Sequence, residues 1–219
     1  KSSLENNEPV LFFSLEMSSE QLAQRILSEQ SGIDSHRIRK GDINEDEFSN
    51  IVKTQNLIQE TPFYIDDTPA LSVSQMASRA RRLKRTEGLK LIVIDYIQLI
   101  QSKSPRGPEF RVQEVSAITR QLKGLAKELN IPIVALSQLS RAVEQRDDKR
   151  PILADLRESG SIEQDADLVL MIYRDEYYNP ETEDRGIAEI IVTKHRNGPV
   201  GTVKLLFEPQ FTRFRNLAN

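Results

Sequence analysis

Short apolar segments alternate with longer amphipathic segments along this chain. Continuous apolar runs, which predict buried strands, occur at Val10–Leu15, Phe63–Ile65, Leu91–Ile94, Ile131–Leu136 and Leu168–Tyr173. The runs lack the alternation of inward and outward residues that half-exposed strands show, so they favour a sheet covered by helices on both faces. The pattern therefore predicts an α/β fold with a mostly parallel central sheet.

Helix starts can be recognised between these runs. Capping-box spacing, in which Ser or Asn precedes Gln or Glu by three residues, occurs at Ser18 and Gln21, Asn44 and Glu47, and Ser72 and Gln75. The longest helix is predicted within residues 109–130, where a single apolar stripe is formed by Val115, Ile118, Leu122, Leu125 and Leu129.

After Arg174 the pattern changes to that of a hairpin. Gly186–Lys194 and Thr202–Phe207 alternate apolar and polar residues, and Asn197-Gly198-Pro199 between them is a turn signal. We expect one domain over residues 1–219, in which a parallel core carries this antiparallel C-terminal addition.

Composition narrows the range of functions. The 219 residues include no cysteine and two histidines, His36 and His195, and carry a formal charge of −3. Without cysteine there are no disulfides or thiolate metal sites, which is typical of a reducing compartment. The near-neutral charge means that any contact with nucleic acid has to come from local groups. No apolar run approaches the roughly 20 residues that cross a bilayer, and the polar start predicts no signal peptide.

Carboxylates follow two of the predicted strands. Asp95 ends the run Leu91–Ile94, and Glu16 ends the run that begins at Val10. Ligands of open α/β sheets bind at the carboxyl ends of strands, and in P-loop nucleotide hydrolases an aspartate there holds magnesium. A second carboxylate could act as the general base for a water. The plainer alternatives are a loop aspartate and a glutamate that favours the first turn of the following helix.

Polar and cationic groups follow two further strands. Gln138, just after the fourth run, could sense a terminal phosphate or could be a surface residue. Lys194 and Arg196 lie two residues apart beside the predicted turn, on one side of a strand, where they could reach a phosphate. The alternative is an exposed hairpin with solvated charges. His195 faces the other way and is expected to be structural.

Two other polar stretches could contact nucleic acid. Asp155–Asp167 mixes acids, a glycine and Arg157, and could grip phosphates through this arginine and backbone N–H groups. Arg79–Arg85 has five cations in seven residues. On a helix these cations spread around the circumference, so a solvated helix face is favoured over a nucleic-acid patch.

The phosphate-binding motif G-x-x-x-x-G-K-[ST] does not occur in the chain. Lys1-Ser2 is not a remnant of it, because the seven residues between Lys1 and Pro9 are too few for the helix and connection that follow such a loop. We therefore expect the first strand and the Walker A loop to lie upstream of this chain, and the chain alone to be inactive.

Five segments, in their order along the chain, resemble the C-terminal, RecA-like motor domain of bacterial replicative DNA helicases, the DnaB family. They are FFSLEMS at 12–18, LIVIDYIQLI at 91–100, PIVALSQLSR at 132–141, DLRESGSIEQDAD at 155–167 and KHRNGPVG at 194–201. The resemblance extends from Pro9 onward. It implies a RecA-like P-loop NTPase core that uses ATP and Mg²⁺.

The resemblance also implies how such a protein works. It implies a homo-hexameric ring that hydrolyses ATP at subunit interfaces and translocates 5′–3′ on single-stranded DNA. Primase and a helicase loader are the implied partners, and the bacterial cytoplasm, in association with the nucleoid, is the implied location.

Residue roles carried over from the family follow position by position. Glu16 resembles the catalytic base, Asp95 the magnesium ligand and Gln138 the phosphate sensor. Lys194 and Arg196 resemble cations that reach the neighbouring subunit's ATP, with Arg196 as the arginine finger. The DNA-contacting loop is represented by Arg157, Glu158 and Gly160.

Two alternatives stay open at this point. One is a recombinase of the RecA/RadA type, which has the same fold but performs strand exchange. The other is a non-catalytic scaffold or DNA-binding relative without a P-loop. Glu16, Asp95 and Arg196 in their motifs argue against the scaffold.

Overall fold

The fold was obtained as a computed structural model. It describes residues 2–101 and 108–217, and for residues 108, 109, 111 and 157–160 it describes the backbone alone. The chain divides into two units, Lys1–Ser137 and Gln138–Asn219, which are described in turn. The expectation of a single domain over 1–219 stays a prediction.

The first unit is built on a four-stranded parallel sheet with the strand order β2-β1-β3-β4. The strands are β1 Val10–Ser14, β2 Phe63–Asp66, β3 Leu91–Asp95 and β4 Ile133–Ala135. In the central strand β1, both Val10 and its neighbour Leu11 are buried. Successive side chains of a strand point to opposite faces, so helices cover this sheet on both sides, as the apolar runs predict.

Six helices of the described ranges surround this sheet. They are α1 Ser2–Asn6, α2 Ser19–Ser31, α3 Ser35–Lys40, α4 Glu45–Glu60, α5 Val73–Glu87 and α6 Pro108–Leu129. The three predicted capping boxes are all formed, at the starts of α2, α4 and α5. The predicted stripe of α6, from Val115 to Leu129, is buried. No helix within the described ranges has the length and apolar character needed to cross a membrane.

The second unit is built on an antiparallel sheet with the order β5-β6-β7-β8. Its strands are β5 Leu168–Tyr173, β6 Ile187–His195, β7 Gly201–Glu208 and β8 Arg213–Asn216. Two short helices accompany them, α7 Gly160–Asp165 and α8 Asp175–Tyr178. The predicted hairpin is confirmed, because β6 and β7 pair antiparallel from Ile187 opposite Leu206 to Val192 opposite Gly201.

The fifth apolar run corrects one detail of the prediction. Leu168–Tyr173 is a strand, but it pairs antiparallel with β6 and is not part of the parallel sheet. Its side chains alternate: Met171 is buried, whereas the next residue, Ile172, is 56% exposed. A run that is apolar at every position does not specify the strand direction, because buried parallel and antiparallel strands share that composition. The α/β fold class with an antiparallel C-terminal part is confirmed.

Two ion pairs hold the irregular segment before β5 against the second unit. Arg146 makes a bidentate pair with the buried Asp155, both N–O distances being 2.9 Å. Arg150 makes another with the buried Glu189 of β6, again at 2.9 Å for both contacts. Bidentate geometry fixes the direction as well as the distance, so these pairs anchor residues 146–155.

Candidate active site

The turn that carries Glu16 is fastened to the ends of two neighbouring strands. Ser14, the last residue of β1, is 1% exposed, and its hydroxyl donates a hydrogen bond of 2.6 Å to the carbonyl of Met17. The backbone N–H of Leu15 donates to the carbonyl of Asp95 at 2.8 Å. Glu16 lies between these two attachments with its side chain exposed. The acid is therefore held at the backbone and open to solvent at the carboxylate.

Asp95 lies beside this turn because of strand register. It ends β3, directly opposite Ser14 of β1, so the carboxyl ends of the two central strands meet at one edge of the sheet. Burial raises the pKa of the Asp95 carboxyl, and the negative charge of Glu16 raises it further, whereas Arg25 of α2 acts in the opposite direction. The two predicted acids thus lie near enough to repel each other.

A second acid fixes the start of α2, which follows the Glu16 turn. Asp67, in the loop after β2, accepts a hydrogen bond of 2.8 Å from the backbone N–H of Ser19, the first residue of α2. Sequence reasoning missed Ser14, Asp67 and Arg25. A serine at a buried strand position was the available signal for Ser14, but the contact of Asp67 joins residues 48 apart in the chain.

Gln138 is separated from these acids by the division of the chain. In the first unit, the segment after β4 is held by a 3.0 Å hydrogen bond from the Ile97 N–H to the Leu136 carbonyl. The amide of Gln98 also donates to the Ser137 hydroxyl at 2.9 Å. Gln138 is the first residue of the second unit, and its side chain is exposed. Its role as a phosphate sensor stays a prediction.

Lys194 and Arg196 both reach one segment of the second unit, at the end of α7. The Lys194 ammonium donates to the carbonyls of Glu163, Gln164 and Ala166, at 3.5 Å for Gln164 and 2.8 Å for Ala166. Arg196 pairs with Asp167 at 2.9 Å. Lys194 is on β6, but Arg196 lies in the turn just beyond it, so the expectation that both cations sit on the strand was wrong. The shared orientation toward one segment is observed.

His195 shapes the turn that carries Arg196. A Cβ atom added at Gly198 would collide with the His195 imidazole, so the ring packs against a position that only glycine allows. This packing agrees with the expected structural role of His195.

The predicted DNA-contacting residues lie at the junction of two helical segments. Arg157 and Glu158 belong to a 3₁₀ segment, Leu153–Ser159, and Gly160 is the first residue of α7. The side chains of residues 157–160 lie outside the described part, so their contact with DNA stays a prediction.

The basic run in α5 takes partners within the chain. Arg79 pairs with Asp66 at the end of β2. Arg81 makes a bidentate pair with Glu128 of α6, at 2.6 and 2.8 Å. Lys84 donates to the Leu89 carbonyl at 2.9 Å. These contacts support the solvated, structural interpretation of Arg79–Arg85 over a nucleic-acid patch.

A family model described as the DnaB-like helicase C terminal domain matches residues 1–216. The chain belongs to this family. Among solved structures, the ATPase domain of another protein superposes with a TM-score of 0.93 at 39% identity, covering 98% of this chain and 76% of that one. A DnaB-like replicative helicase, described with its interactions with primase, gives 0.92 at 39% identity, with 98% and 52% covered.

Curated relatives of this DnaB-like domain are replicative DNA helicases. DnaC of Bacillus subtilis (strain 168) is 51% identical over 211 residues, which cover 96% of this chain and 46% of the relative. DnaB of Rickettsia prowazekii (strain Madrid E) is 53% identical over 223 residues, covering 94% and 46%. The chain therefore spans about half the length of the curated relatives it matches.

The donor set of the domain fits a magnesium ion that is bound together with a nucleotide. Within the described ranges, no group of three or more His, Asp or Glu residues could hold a metal by itself. Mg²⁺ is usually held by one or two carboxylates together with substrate phosphates and water. The half-buried Asp95, whose pKa is raised by burial and by Glu16, is a carboxylate that a cation would stabilise in its charged form.

Proposed function

We propose that this chain is the motor domain of an ATP-dependent replicative DNA helicase. The observation that carries the proposal is the juxtaposition of Asp95 and Glu16 at the carboxyl ends of β3 and β1. An acid at each of two adjacent parallel strands provides one ligand for magnesium and one base for water. The family membership of residues 1–216 supports the same proposal.

Asp95 holds the magnesium ion of the bound nucleotide in this proposal. When bound, the ion neutralises charge on the phosphates that leave and are transferred. Glu16 orients the attacking water and accepts its proton, a role that suits an exposed carboxylate on an anchored backbone. The contacts of Ser14 and Leu15 keep this carboxylate from drifting relative to Asp95.

The cations act between subunits in this proposal. The protein forms a homo-hexameric ring, in which Lys194 and Arg196 of one subunit reach the ATP bound by its neighbour. Such an arginine finger raises hydrolysis rates by about 10³–10⁵ where it has been measured. Activity therefore requires an assembled interface. Gln138 senses the terminal phosphate and relays its presence to the DNA-contacting segment.

DNA binding is assigned to Arg157, Glu158 and Gly160. Six such segments, one per subunit, would surround a single strand that the ring follows in the 5′–3′ direction. Phosphate contacts need only a locally basic surface, which makes DNA binding compatible with the net charge of −3.

We further propose primase and a helicase loader as partners, in the bacterial cytoplasm in association with the nucleoid. The primase proposal is supported by a similar structure whose subject is a DnaB-like replicative helicase and its interactions with primase.

An unwinding assay with the full-length protein tests the proposal against a recombinase. The helicase proposal expects ATP-dependent separation of a forked duplex that has a 5′ single-stranded tail, and no strand exchange between homologous duplexes. Strand exchange without unwinding would contradict it. The sequence just upstream of Lys1 separates the enzyme from a scaffold, because an enzyme requires G-x-x-x-x-G-K-[ST] there and a scaffold does not.

A further inference from the structure

Lys194 occupies a position in the described structure that differs from the one proposed for catalysis. Its ammonium is directed at the last carbonyls of α7, those of Glu163, Gln164 and Ala166. The final carbonyls of a helix have no partner inside the helix, and a cation at that end satisfies them. Lys194 therefore closes the C-terminal end of α7.

The inner face of α7 is attached separately. Ile162 and Ala166 pack against a buried cluster of Leu156, Val169 and Met171. The helix is thus held by apolar contacts along one side and by one lysine at its end. Because α7 begins at Gly160, directly after Arg157 and Glu158, its position sets where the proposed DNA-contacting residues lie on the backbone.

We propose that Lys194 is a positioning residue for the DNA-contacting segment, and that this role competes with its contact to the neighbouring subunit's ATP. A lysine ammonium has three N–H donors, and here three carbonyl oxygens accept from it. A phosphate oxygen can be bound only if at least one carbonyl is given up. Nucleotide at the interface therefore loosens the end of α7, and loss of the nucleotide restores it.

Arg196 behaves differently under the same argument. Its guanidinium pairs with Asp167 through one nitrogen, at 2.9 Å, and its backbone N–H donates to the Asp167 carbonyl at 2.8 Å. A guanidinium has five N–H donors, so Arg196 can keep Asp167 and still contact a phosphate. Lys194 is consequently the member of the pair that changes partner, whereas Arg196 stays anchored. This inference rests on the proposed trans role of both cations.

Hydrogen exchange of the full-length protein without nucleotide tests the inference. Lys194→Ala should raise the exchange rates of amides in residues 160–167 about 2- to 5-fold, the range expected for a cation at a helix C-terminus. Lys194→Arg, which keeps charge and donors, should restore protection. Lys204→Ala is the matched control, because that β7 lysine pairs with Asp184 at 3.1 Å and does not contact α7. Unchanged exchange at 160–167 in Lys194→Ala would overturn the inference.

A non-hydrolysable ATP analogue provides the second arm of the test. Added to the wild-type hexamer, it should raise exchange at 160–167, and it should add nothing in Lys194→Ala. Equal responses in both proteins would overturn the competition. ATPase activity separates this inference from the proposed function. A Lys194→Ala protein with full ATPase activity but raised exchange contradicts the trans role while leaving the positioning role intact, whereas low activity with normal exchange does the reverse.

Discussion

The two sets of charged site residues are held in opposite ways. The acids of the first unit, Glu16 and Asp95, are placed next to each other by strand register, and burial and mutual repulsion raise the pKa of Asp95. The cations of the second unit, Lys194 and Arg196, are already matched with the α7 carbonyls and with Asp167. A bound cation would relieve the acids, whereas the cations have to exchange or share partners to act.

This difference indicates where the free-energy cost of function lies in each unit. In the first unit the cost is electrostatic and lies in the folded chain, where two like charges are kept together for a ligand. In the second unit the cost arises when the cations are recruited, because existing contacts are lost. Removal of a charged group should therefore stabilise the first unit and destabilise the second.

The largest expected effect concerns the anchored cation. Arg196→Ala in the full-length protein should lower the ATPase kcat by about 10³–10⁵ and leave nucleotide binding near the wild-type level, because a finger acts on charge that develops in the transition state. The control is Arg185→Ala, since Arg185 is exposed and only loosely paired with Glu181, at 3.7 Å. Steady-state ATPase and nucleotide-binding measurements check this, and full activity in Arg196→Ala would refute the trans assignment.

A large effect on stability is expected for a satisfied acid of the second unit. Asp155 is 4% exposed and accepts from both terminal nitrogens of Arg146 and from the Ile152 N–H. Asp155→Asn should destabilise the protein by about 2–3 kcal/mol, because it leaves the Arg146 charge without its counter-ion. Thermal unfolding should show a fall in Tm of about 4–10 °C. A Tm equal to that of the wild type would show that this unit does not depend on its matched charges.

A smaller effect on rate is expected where the Glu16 turn is fastened. Ser14→Ala removes the hydrogen bond to the Met17 carbonyl and should lower the ATPase kcat about 10-fold with little change in KM, because it mispositions the base and not the nucleotide. Ser3→Ala is a matched control. The Ser3 hydroxyl is also buried and donates to the carbonyls of Glu8 and Pro62, but it lies before the strands begin. Equal kcat losses in both variants would point to general destabilisation.

The smallest effect is a gain in stability from an unsatisfied acid. Since the pKa of Asp95 is raised in the folded state, ionisation of this carboxylate opposes folding at every pH above its unfolded value. Asp95→Asn should therefore raise Tm at pH 7 by about 2 °C while abolishing hydrolysis. The advantage should shrink as the pH falls through the folded pKa, where the wild-type group is neutral too. A lower Tm at pH 7 would contradict the electrostatic conflict.

Local signals in the sequence predicted local structure well. The capping boxes at Ser18, Asn44 and Ser72 all form, because both partners lie within one helical turn. The stripe of α6 is buried as its spacing indicates. The two acids were found because each ends an apolar run, and strand ends of a parallel sheet share one edge.

Nonlocal contacts could not be predicted in the same way. The carbonyls that bind Lys194 lie 28–31 residues away along the chain, and Glu189 lies 39 residues from Arg150. No spacing rule joins such positions. The direction of β5 was also open, because uniform apolar character carries no record of the neighbouring strand. The sequence thus identified the charged residues but not which of them are already matched.

Mixing two inactive variants tests the central claim most directly. The claim is that Glu16 of one subunit and Arg196 of its neighbour complete one site. Full-length Glu16→Gln and Arg196→Ala proteins should each be inactive, but co-assembled in equal amounts they should form about a quarter of their interfaces with both groups intact. ATPase activity of the mixture should then rise well above that of either protein alone. A mixed hexamer as inactive as its components would contradict the claim.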